Sequence, residues 1–430
     1  MQLTRYLKTF PHPHKPGRVL LLATRRCAVL ELSVELWERL STGGELSADE
    51  EETFTRLGVL VMNRDAEREE LRATFDTINA GRRRFEATAV LTLECNLACP
   101  YCFEESFRGH LIMSIATANL LVERLSEKMA QGLDVLVDFY GGEALMRVEL
   151  LRGIAFRLQD AATRHGVSFS FNIFSNGVLL TRQIIESLLP LGLTAIRTTL
   201  DGPPDIHNAQ RPFVSGKGSF DIILANLAAV HELVPLNIGG NYTRDNYRRF
   251  PEMLDILLKA GIDPILLREV SFSPVMPKAD GAGFGDHAAT CACTSEPWAI
   301  EANLFLRAEI IRRGFPTAKL GPSACMIEFE KDWVVGHDGA IYKCPVFMGD
   351  ERMRVGTLAD GIGDYRVTHN LDVWKNDECL ECAYLPLCFG GCRFFRKLKT
   401  GVIDGVDCRR AMLDASLETI VLQDSGRRMA

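Results

Sequence analysis

The sequence predicts an α/β protein: a parallel sheet of six strands, each followed by a helix, with a small αβ module before it and a cysteine-rich extension after it. Three observations carry that prediction. Between residues 88 and 275, short apolar strands alternate with amphipathic helices in units of roughly 25 to 35 residues, the rhythm of a parallel sheet covered by helices. The strands are nearly continuous in apolar residues, as strands buried on both faces are. Twelve of the 13 cysteines fall into three groups, at 95 to 102, at 291 and 293, and from 325 to 408, which places metal chemistry at the start and end of the chain.

The bulk numbers agree with a soluble, core-forming protein. With 430 residues, 47% hydrophobic and 24% charged, the chain has room for roughly two to three domains. A net charge of -7 and a pI near 5.8 supply no field that would draw nucleic acid or an anionic membrane, so neither is expected as a partner. The opening MQLTRYLKTFPHPHKPGRV has no apolar signal core, and no later run approaches the ~20 apolar residues of a membrane span. A cytoplasmic protein is expected. In that reducing setting an odd number of cysteines argues for metal ligands rather than disulfides, with Cys27, alone in RRCAVLEL, left to packing.

Residues 1–85 read as the small module: a strand pair (RVLLLA, CAVLEL), a helix (SVELWERLSTG) and a second helix begun by Ser47, with Glu50 at capping-box spacing. The run DAEREELRATFDTINAGRRR alternates in charge and is expected to be a solvated helix leading to the next domain. Residues 86–275 hold the six units, with strands TAVLTL, DVLVDFY, VSFSFNIFS, TAIRTTL, PLNIGGN and EVSFSPV. Gly132, Gly166, Gly192 and Gly261 stand where helices end ahead of the next strand. Residues 276–320 connect, 321–412 form the cysteine-rich domain, and 413–430 a terminal helix and tail.

Six units are too few for a closed eight-stranded barrel, but in open and curled sheets alike ligands sit at the C-terminal strand ends. Polar or glycine-rich turns stand at five successive ends. Cys95, Cys99 and Cys102 follow the first strand; Tyr140, Gly141, Gly142 and Glu143 the second; Ser175, Asn176 and Gly177 the third. Asp201, Gly202 and Arg211 follow the fourth, and the fifth contains GGNYTRDN. Each alone is ordinary turn chemistry. Gathered at one mouth beside three thiols, they make a pocket.

The spacing C-x3-C-x2-C, with aromatic Tyr101 before the last cysteine, resembles the cluster loop of the radical S-adenosylmethionine (radical SAM) enzymes, whose partial (β/α)6 TIM-type barrel matches the six units. The resemblance implies a 4Fe-4S cluster on Cys95, Cys99 and Cys102, its fourth iron open to SAM, and a 5'-deoxyadenosyl radical that abstracts a substrate hydrogen. It carries Gly141, Gly142 and Glu143 onto the turn that meets the SAM ammonium, although Ala144 stands where that family usually has proline. By the same resemblance Ser175, Asn176, Thr199, Asp201 and Asn241 face the cofactor, and Arg211, in DGPPDIHNAQRPF, is the cation for its carboxylate. No residue is assigned as catalytic acid or base.

Downstream, Cys325, Cys344, Cys379, Cys382, Cys388, Cys392 and Cys408 are similar to the seven-cysteine pattern of the SPASM extension, which houses two auxiliary 4Fe-4S clusters. The resemblance implies one cluster on Cys379, Cys382, Cys388 and Cys408, and a second on Cys325, Cys344 and Cys392, with Cys293 or Cys291 as its possible distant fourth ligand; structural zinc is the alternative for the 379 to 408 group. Nearly end to end the chain resembles the proposed geopeptide radical SAM maturases. That implies a short ribosomally made precursor peptide as substrate, a leader-peptide role for the first module, and a flavodoxin- or ferredoxin-type electron donor. A sulfatase-type maturase oxidising a serine or cysteine of a protein, and a non-enzymatic iron-sulfur carrier or sensor, are the competing readings.

Overall fold

The computed structural model describes residues 1–102, 104, 109–276 and 296–426. The chain divides into two compact units, one of Met1–Gly81, Lys319–Phe329 and His369–Ala430, the other of Arg82–Ala318 and Glu330–Thr368. The leading module and most of the cysteine-rich extension therefore fold as one unit, and the segment around Cys344 belongs to the other.

The first unit begins with β1 (Gln2–Leu3), β2 (Leu7–Pro11), β3 (Arg18–Ala23), β4 (Ala28–Ser33), α1 (Val34–Ser41), α2 (Ala48–Arg56), β5 (Leu60–Val61), α3 (Arg64–Arg72) and α4 (Thr74–Gly81). An antiparallel sheet of order β2-β3-β4 adds one strand to the expected pair, and β1 pairs with β5. After Arg18, β3 is apolar throughout because both its faces are covered: Leu21 and Ala23 pack with Leu40 and Phe54, Leu20 and Leu22 with Leu387 and Leu417. Ser33 caps α1 through the Leu36 N–H, and Ser47 and Glu50 complete the reciprocal capping box on α2. The charged run differs from expectation. It forms two helices, α3 and α4, and Glu67, Leu71 and Phe75, at steps of four, make a buried face.

The second unit is built on β6 (Arg84–Thr92), α5 (Ile115–Ala130), β7 (Asp134–Gly141), α6 (Val148–His165), β8 (Phe169–Phe174), α7 (Arg182–Leu188), β9 (Leu193–Thr199), α8 (Pro204–Gln210), α9 (Phe220–Val230), β10 (Leu236–Tyr242), α10 (Phe250–Lys259), β11 (Leu267–Pro274) and α11 (Pro297–Arg312). The six strands pair in parallel and in sequence order, as the α/β reading requires. One set of side chains, including Ala89, Val137, Phe171, Ile196, Ile238 and Val270, shares a core with helix residues such as Leu121, Leu158, Ile185, Leu227 and Leu257. Each large apolar side chain buried there contributes about 1.5–3 kcal/mol.

The extension lengthens this sheet, which the periodicity did not anticipate. β12 (Asp332–Val335) adds in parallel to the free edge of β6, and β13 (Ala340–Tyr342), β14 (Gly356–Thr357) and β15 (Gly361–Ile362) continue antiparallel. The chain ends with α12 (Asp377–Leu380), α13 (Leu385–Cys388), α14 (Arg393–Thr400) and α15 (Arg410–Gly426) in the first unit. There the leading module grips the cysteine knuckle directly: Tyr6 donates to the Leu380 carbonyl at 2.8 Å and Thr24 to the Ala383 carbonyl at 2.6 Å. Among the described residues, no helix is long and apolar enough to cross a membrane.

Candidate functional site

Backbone contacts tie the turn after β7 to the end of β6 at the mouth of the sheet. Gly142 N–H donates to the Thr92 carbonyl at 2.9 Å and Glu143 N–H to the Glu94 carbonyl at 2.8 Å. A Cβ at Gly141 would lie 2.2 Å from the Thr92 oxygen, and one at Gly142 2.3 Å from the Glu94 oxygen. Both positions therefore exclude any side chain. The turn then delivers Glu143, which is fully buried, back over the sheet.

Glu143 gathers the turn after β8. Its Oε1 accepts the Leu145 N–H and the Ser175 hydroxyl, each at 3.0 Å, and its Oε2 accepts the Asn176 N–H at 2.7 Å. Three expected residues, Glu143, Ser175 and Asn176, thus form one hydrogen-bonded group. A carboxylate offers about four acceptor positions, so one on Oε2 is left for a further donor. Burial pushes the Glu143 carboxyl up, while these donors and Arg211 draw it down. Ala144, in the usual proline position, is completely buried behind it.

The three cysteines of the first loop are neighbours beside this group. Asn176 Nδ2 lies 3.6 Å from the Cys95 sulfur and 2.6 Å from Asn96 Oδ1. Burial, then Asp201 and the other two thiols, pushes the Cys99 thiol up to about 11, with Arg211 opposing. Such a site favours neutral sulfur until positive charge arrives, which is what bound iron supplies.

Three expected residues converge on the phenol of a fourth. Tyr101 donates to the Asp201 carboxylate and accepts from Arg211 Nη1 at 2.7 Å and from Asn241 Nδ2 at 3.2 Å. The second Asp201 oxygen accepts the Asn241 N–H at 2.7 Å, which ties the end of β9 to β10. Arg211 Nε is buried and has no hydrogen-bond partner. That orphaned donor, on a cation turned toward the mouth, fits an anionic group such as a cofactor carboxylate. Thr199 ends β9 opposite Gly239 and takes no part in this network among the described residues.

Two positions escaped the sequence reading. His207 Nδ1 accepts the Asp201 N–H at 3.1 Å, so its proton sits on Nε2, which donates to Ser219 Oγ at 3.0 Å; Ser219 in turn donates to the Arg211 carbonyl at 2.6 Å. Burial, assisted by Arg211, pushes His207 down to about 3. Its place four residues before Arg211, on the same side of a helical turn, was the available signal. Glu94, just ahead of Cys95, accepts from Arg147 and lies 2.5 Å from His110 Nδ1; these contacts hold its carboxyl below the usual range.

The later cysteines form neighbourhoods. Cys388 is pushed up to about 11 by burial and then by Cys382 and Cys379, and Cys379 is raised by burial and then by Cys382 and Cys408. Cys325 and Cys392 are likewise within electrostatic reach, and a buried Glu328–Arg393 ion pair joins their segments. Cys344, in the second unit, contributes with Glu104 and Cys102 to holding the buried Tyr140 phenol above its ordinary range, burial being the larger cause. Cys291 and Cys293 lie outside the described residues. Among the described residues no three His, Cys, Asp or Glu side chains converge closely enough to hold a single metal ion.

Comparisons with known proteins meet this geometry. Residues 90–257 match the Radical SAM superfamily model. The mycofactocin maturase MftC of Mycolicibacterium smegmatis is 24% identical over 74% of this chain and 80% of its own length. Native anSMEcpe, solved with bound AdoMet and the Cp18Cys peptide, covers 80% of this chain and 97% of its own at a TM-score of 0.60 and 18% identity. Streptococcus suis SuiB, solved with precursor peptide SuiA, covers 95% and 98% at a TM-score of 0.52 and 15% identity. The segment with the three-cysteine loop and the polar strand ends is thus the part of this chain that matches the radical SAM superfamily.

Proposed function

We propose that this protein is a cytoplasmic radical SAM enzyme that modifies, by crosslinking, a ribosomally made precursor peptide of the kind expected for geopeptide maturases. The observation that carries the reading is the meeting, at one sheet mouth, of the Cys95, Cys99 and Cys102 thiols with Glu143 and the unfilled Nε of Arg211. A 4Fe-4S cluster with bound SAM supplies one-electron cleavage of the sulfonium and a hydrogen-abstracting radical. The three thiolates would hold that cluster. Gly141 and Gly142 position the turn, the spare Glu143 acceptor would take the SAM ammonium, Arg211 would take the carboxylate, and Ser175, Asn176, Thr199, Asp201 and Asn241 would line the remainder, with Tyr101 pinning the cluster loop.

Cys379, Cys382, Cys388 and Cys408 would hold one auxiliary cluster and Cys325, Cys344 and Cys392 a second, the extra ligand of the latter coming from Cys293 or Cys291 or from the substrate. Residues 1–85 would receive the leader by strand addition to an edge of the β2-β3-β4 sheet. SuiB, by the precursor peptide in its structure, supports a peptide substrate. A flavodoxin- or ferredoxin-type protein would deliver the electron.

The test is anaerobic reconstitution with iron and sulfide, reduction with SAM present, and co-expression with a candidate precursor peptide. Formation of 5'-deoxyadenosine together with loss of two hydrogens per crosslink supports the reading. Absence of SAM cleavage by the fully iron-loaded protein overturns it.

A further inference from the structure

The face of the six-stranded sheet that turns away from its helices carries a row of polar side chains, one with a buried oxygen that has no hydrogen-bond partner. Successive side chains of a strand alternate between faces, so the neighbours of the helix-packed Ile173, Ile196, Ile238 and Val270 point to the opposite side. On that side Phe174, Arg197, Asn237 and Glu269 stand in line across β8, β9, β10 and β11, because Phe174 pairs with Arg197, Arg197 with Asn237, and Asn237 with Glu269. The next row toward the mouth holds Thr199, Gly239 and Ser271, and the one above it Asn241 and Ser273. The Arg197 row thus lies one strand repeat, about 6.6 Å, beneath Thr199.

Arg197 is exposed, and among the described residues its charge acts on the Asp138 carboxyl across the same face. The Arg197 guanidinium stacks over the Phe174 ring at 5.4 Å and has no ion pair, although Glu269 is two strands away. Asn237 Oδ1 is buried without a hydrogen-bond partner. By contrast, Asp138 on the same face accepts Asn172 Nδ2 at 2.8 Å, and Asn172 accepts the Thr194 hydroxyl at 2.9 Å. A buried, unpaired amide oxygen costs free energy unless something arrives to meet it.

The space above the row is also open for a reason the fold does not supply. A Cβ on Gly240 would lie 2.4 Å from the Leu200 carbonyl, so packing requires that glycine. A Cβ on its neighbour Gly239 would meet nothing nearer than 3.6 Å. Glycine in a strand without a packing cause marks close approach by another chain or a ligand.

We propose that this row binds a carboxylate-bearing residue of the peptide, with the carboxylate on Arg197 and a peptide N–H shared between Asn237 Oδ1 and Glu269; this rests on the peptide-modifying reading above. Arg197 suits the task because its planar fork matches a carboxylate and Phe174 already restricts its rotamers. The acceptors beside it, Asn237 and Glu269, would repel a bare anion, so the ligand must present a donor next to its carboxylate. A peptide residue does so through its own N–H. The carboxylate comes from an acidic side chain or from a C-terminus, which share this chemistry.

The probe is a synthetic pool of random N-acetylated hexapeptides, half with free C-terminal carboxylates and half amidated, incubated with the anaerobically reconstituted, SAM-loaded enzyme. Retained peptides are identified by mass spectrometry. Wild type should retain carboxylate-bearing peptides about tenfold over their amide counterparts, and Arg197→Gln should erase that preference, since a charge-assisted pair is lost. Arg197→Glu should shift retention toward Lys and Arg peptides, and Gly239→Val should lower retention of all peptides by filling the open space. A preference confined to the free-acid pool assigns a C-terminus; one that follows Asp and Glu in both pools assigns a side chain. Retention without carboxylate preference, or a preference unaltered in Arg197→Gln at wild-type iron content and melting temperature, overturns the proposal and leaves the peptide reading standing. Retention of no peptide by wild type overturns both.

Discussion

Nδ1 of His207 accepts the backbone N–H of Asp201 at 3.1 Å, and through Ser219 the same imidazole holds the Arg211 carbonyl. A neutral, buried ring therefore fixes both charged residues of the mouth without touching the space between them. Partners of this indirect kind, which orient the groups that contact a cofactor, change affinity by about 10- to 100-fold when removed. His207→Phe should weaken SAM binding by about tenfold or more in equilibrium dialysis while the iron content of the reconstituted protein stays at the wild-type value. His207→Asn, whose amide can replace part of the relay, should recover some of the loss. Unchanged SAM affinity in His207→Phe would remove the histidine from the pocket's support.

The same residue makes stability depend on pH. Folded His207 stays neutral down to about 3, whereas the unfolded ring titrates near 6.5. Between those values the unfolded chain binds more protons, so stability rises with pH through the window, is complete above it, and is lost as pH falls from 6.5 toward 3. Over the first pH unit and a half of acidification this amounts to about 2 kcal/mol. The advantage in melting temperature of wild type over His207→Asn should therefore shrink steadily below about pH 6.5. A constant difference would mean that the ring is charged in the folded protein.

Glu328 and Arg393, each side chain 1% exposed, join the Cys325 segment to the Cys392 segment. Removing one partner of a buried pair strands the other charge and costs about 3–5 kcal/mol, whereas replacing both by apolar groups is often neutral. Glu328→Gln and Arg393→Met should each lower stability to denaturant by that order, and the combination Glu328→Leu with Arg393→Met should regain most of it. Iron retained after gel filtration should follow the same pattern if the pair sets the spacing of the two cysteines. A double variant as stable as wild type but short of iron would show that the pair serves geometry rather than stability.

Adjacent glycines should respond differently to the same methyl group. Gly240→Ala places a Cβ 2.4 Å from the Leu200 carbonyl and near the Phe250 and Phe272 rings. Overpacking of this kind costs about 1–3 kcal/mol or more. Gly239→Ala meets only ordinary van der Waals distances, and by lowering the entropy of the unfolded chain should leave thermal stability unchanged or slightly raised. Equal losses in the two variants would show that Gly239 is also held by packing.

The local chemistry of the sequence made much of this legible. Alternation of apolar strands with helices placed the six strands close to their observed positions because each strand is buried on its helix-facing side regardless of tertiary detail. The turn residues Glu143, Ser175, Asn176, Asp201 and Asn241 fell at strand ends for the same reason, and Arg211 directly after the short helix α8 that follows β9. What could not be read was whatever depends on contacts distant in sequence. The parallel pairing of β12 with β6 joins residues some 250 positions apart and leaves no periodic signature. The convergence of Arg211 and Asn241 on the Tyr101 phenol is similarly non-local. The charged run of α3 and α4 misled because Glu67, a charged residue, sits on the buried face and is satisfied by Thr4.

The cysteine groupings make a prediction that separates the clusters from one another. Cys99 lies with Cys95 and Cys102 in the second unit, and Cys388 with Cys379 and Cys382 in the first. If each set holds its own 4Fe-4S cluster, Cys99→Ser and Cys388→Ser should each lose about four iron atoms per chain after anaerobic reconstitution, and the double variant about eight. Only the first loss should abolish 5'-deoxyadenosine formation outright, because only the Cys95, Cys99 and Cys102 thiols lie with Glu143 and Arg211 at the mouth. Additivity is the decisive feature, since sites in separate units with no shared ligand have no reason to compensate for one another. A Cys388→Ser protein with full iron, or with zinc in its place, would exclude the auxiliary cluster assigned to the Cys379 to Cys408 set and leave the SAM-binding site untouched.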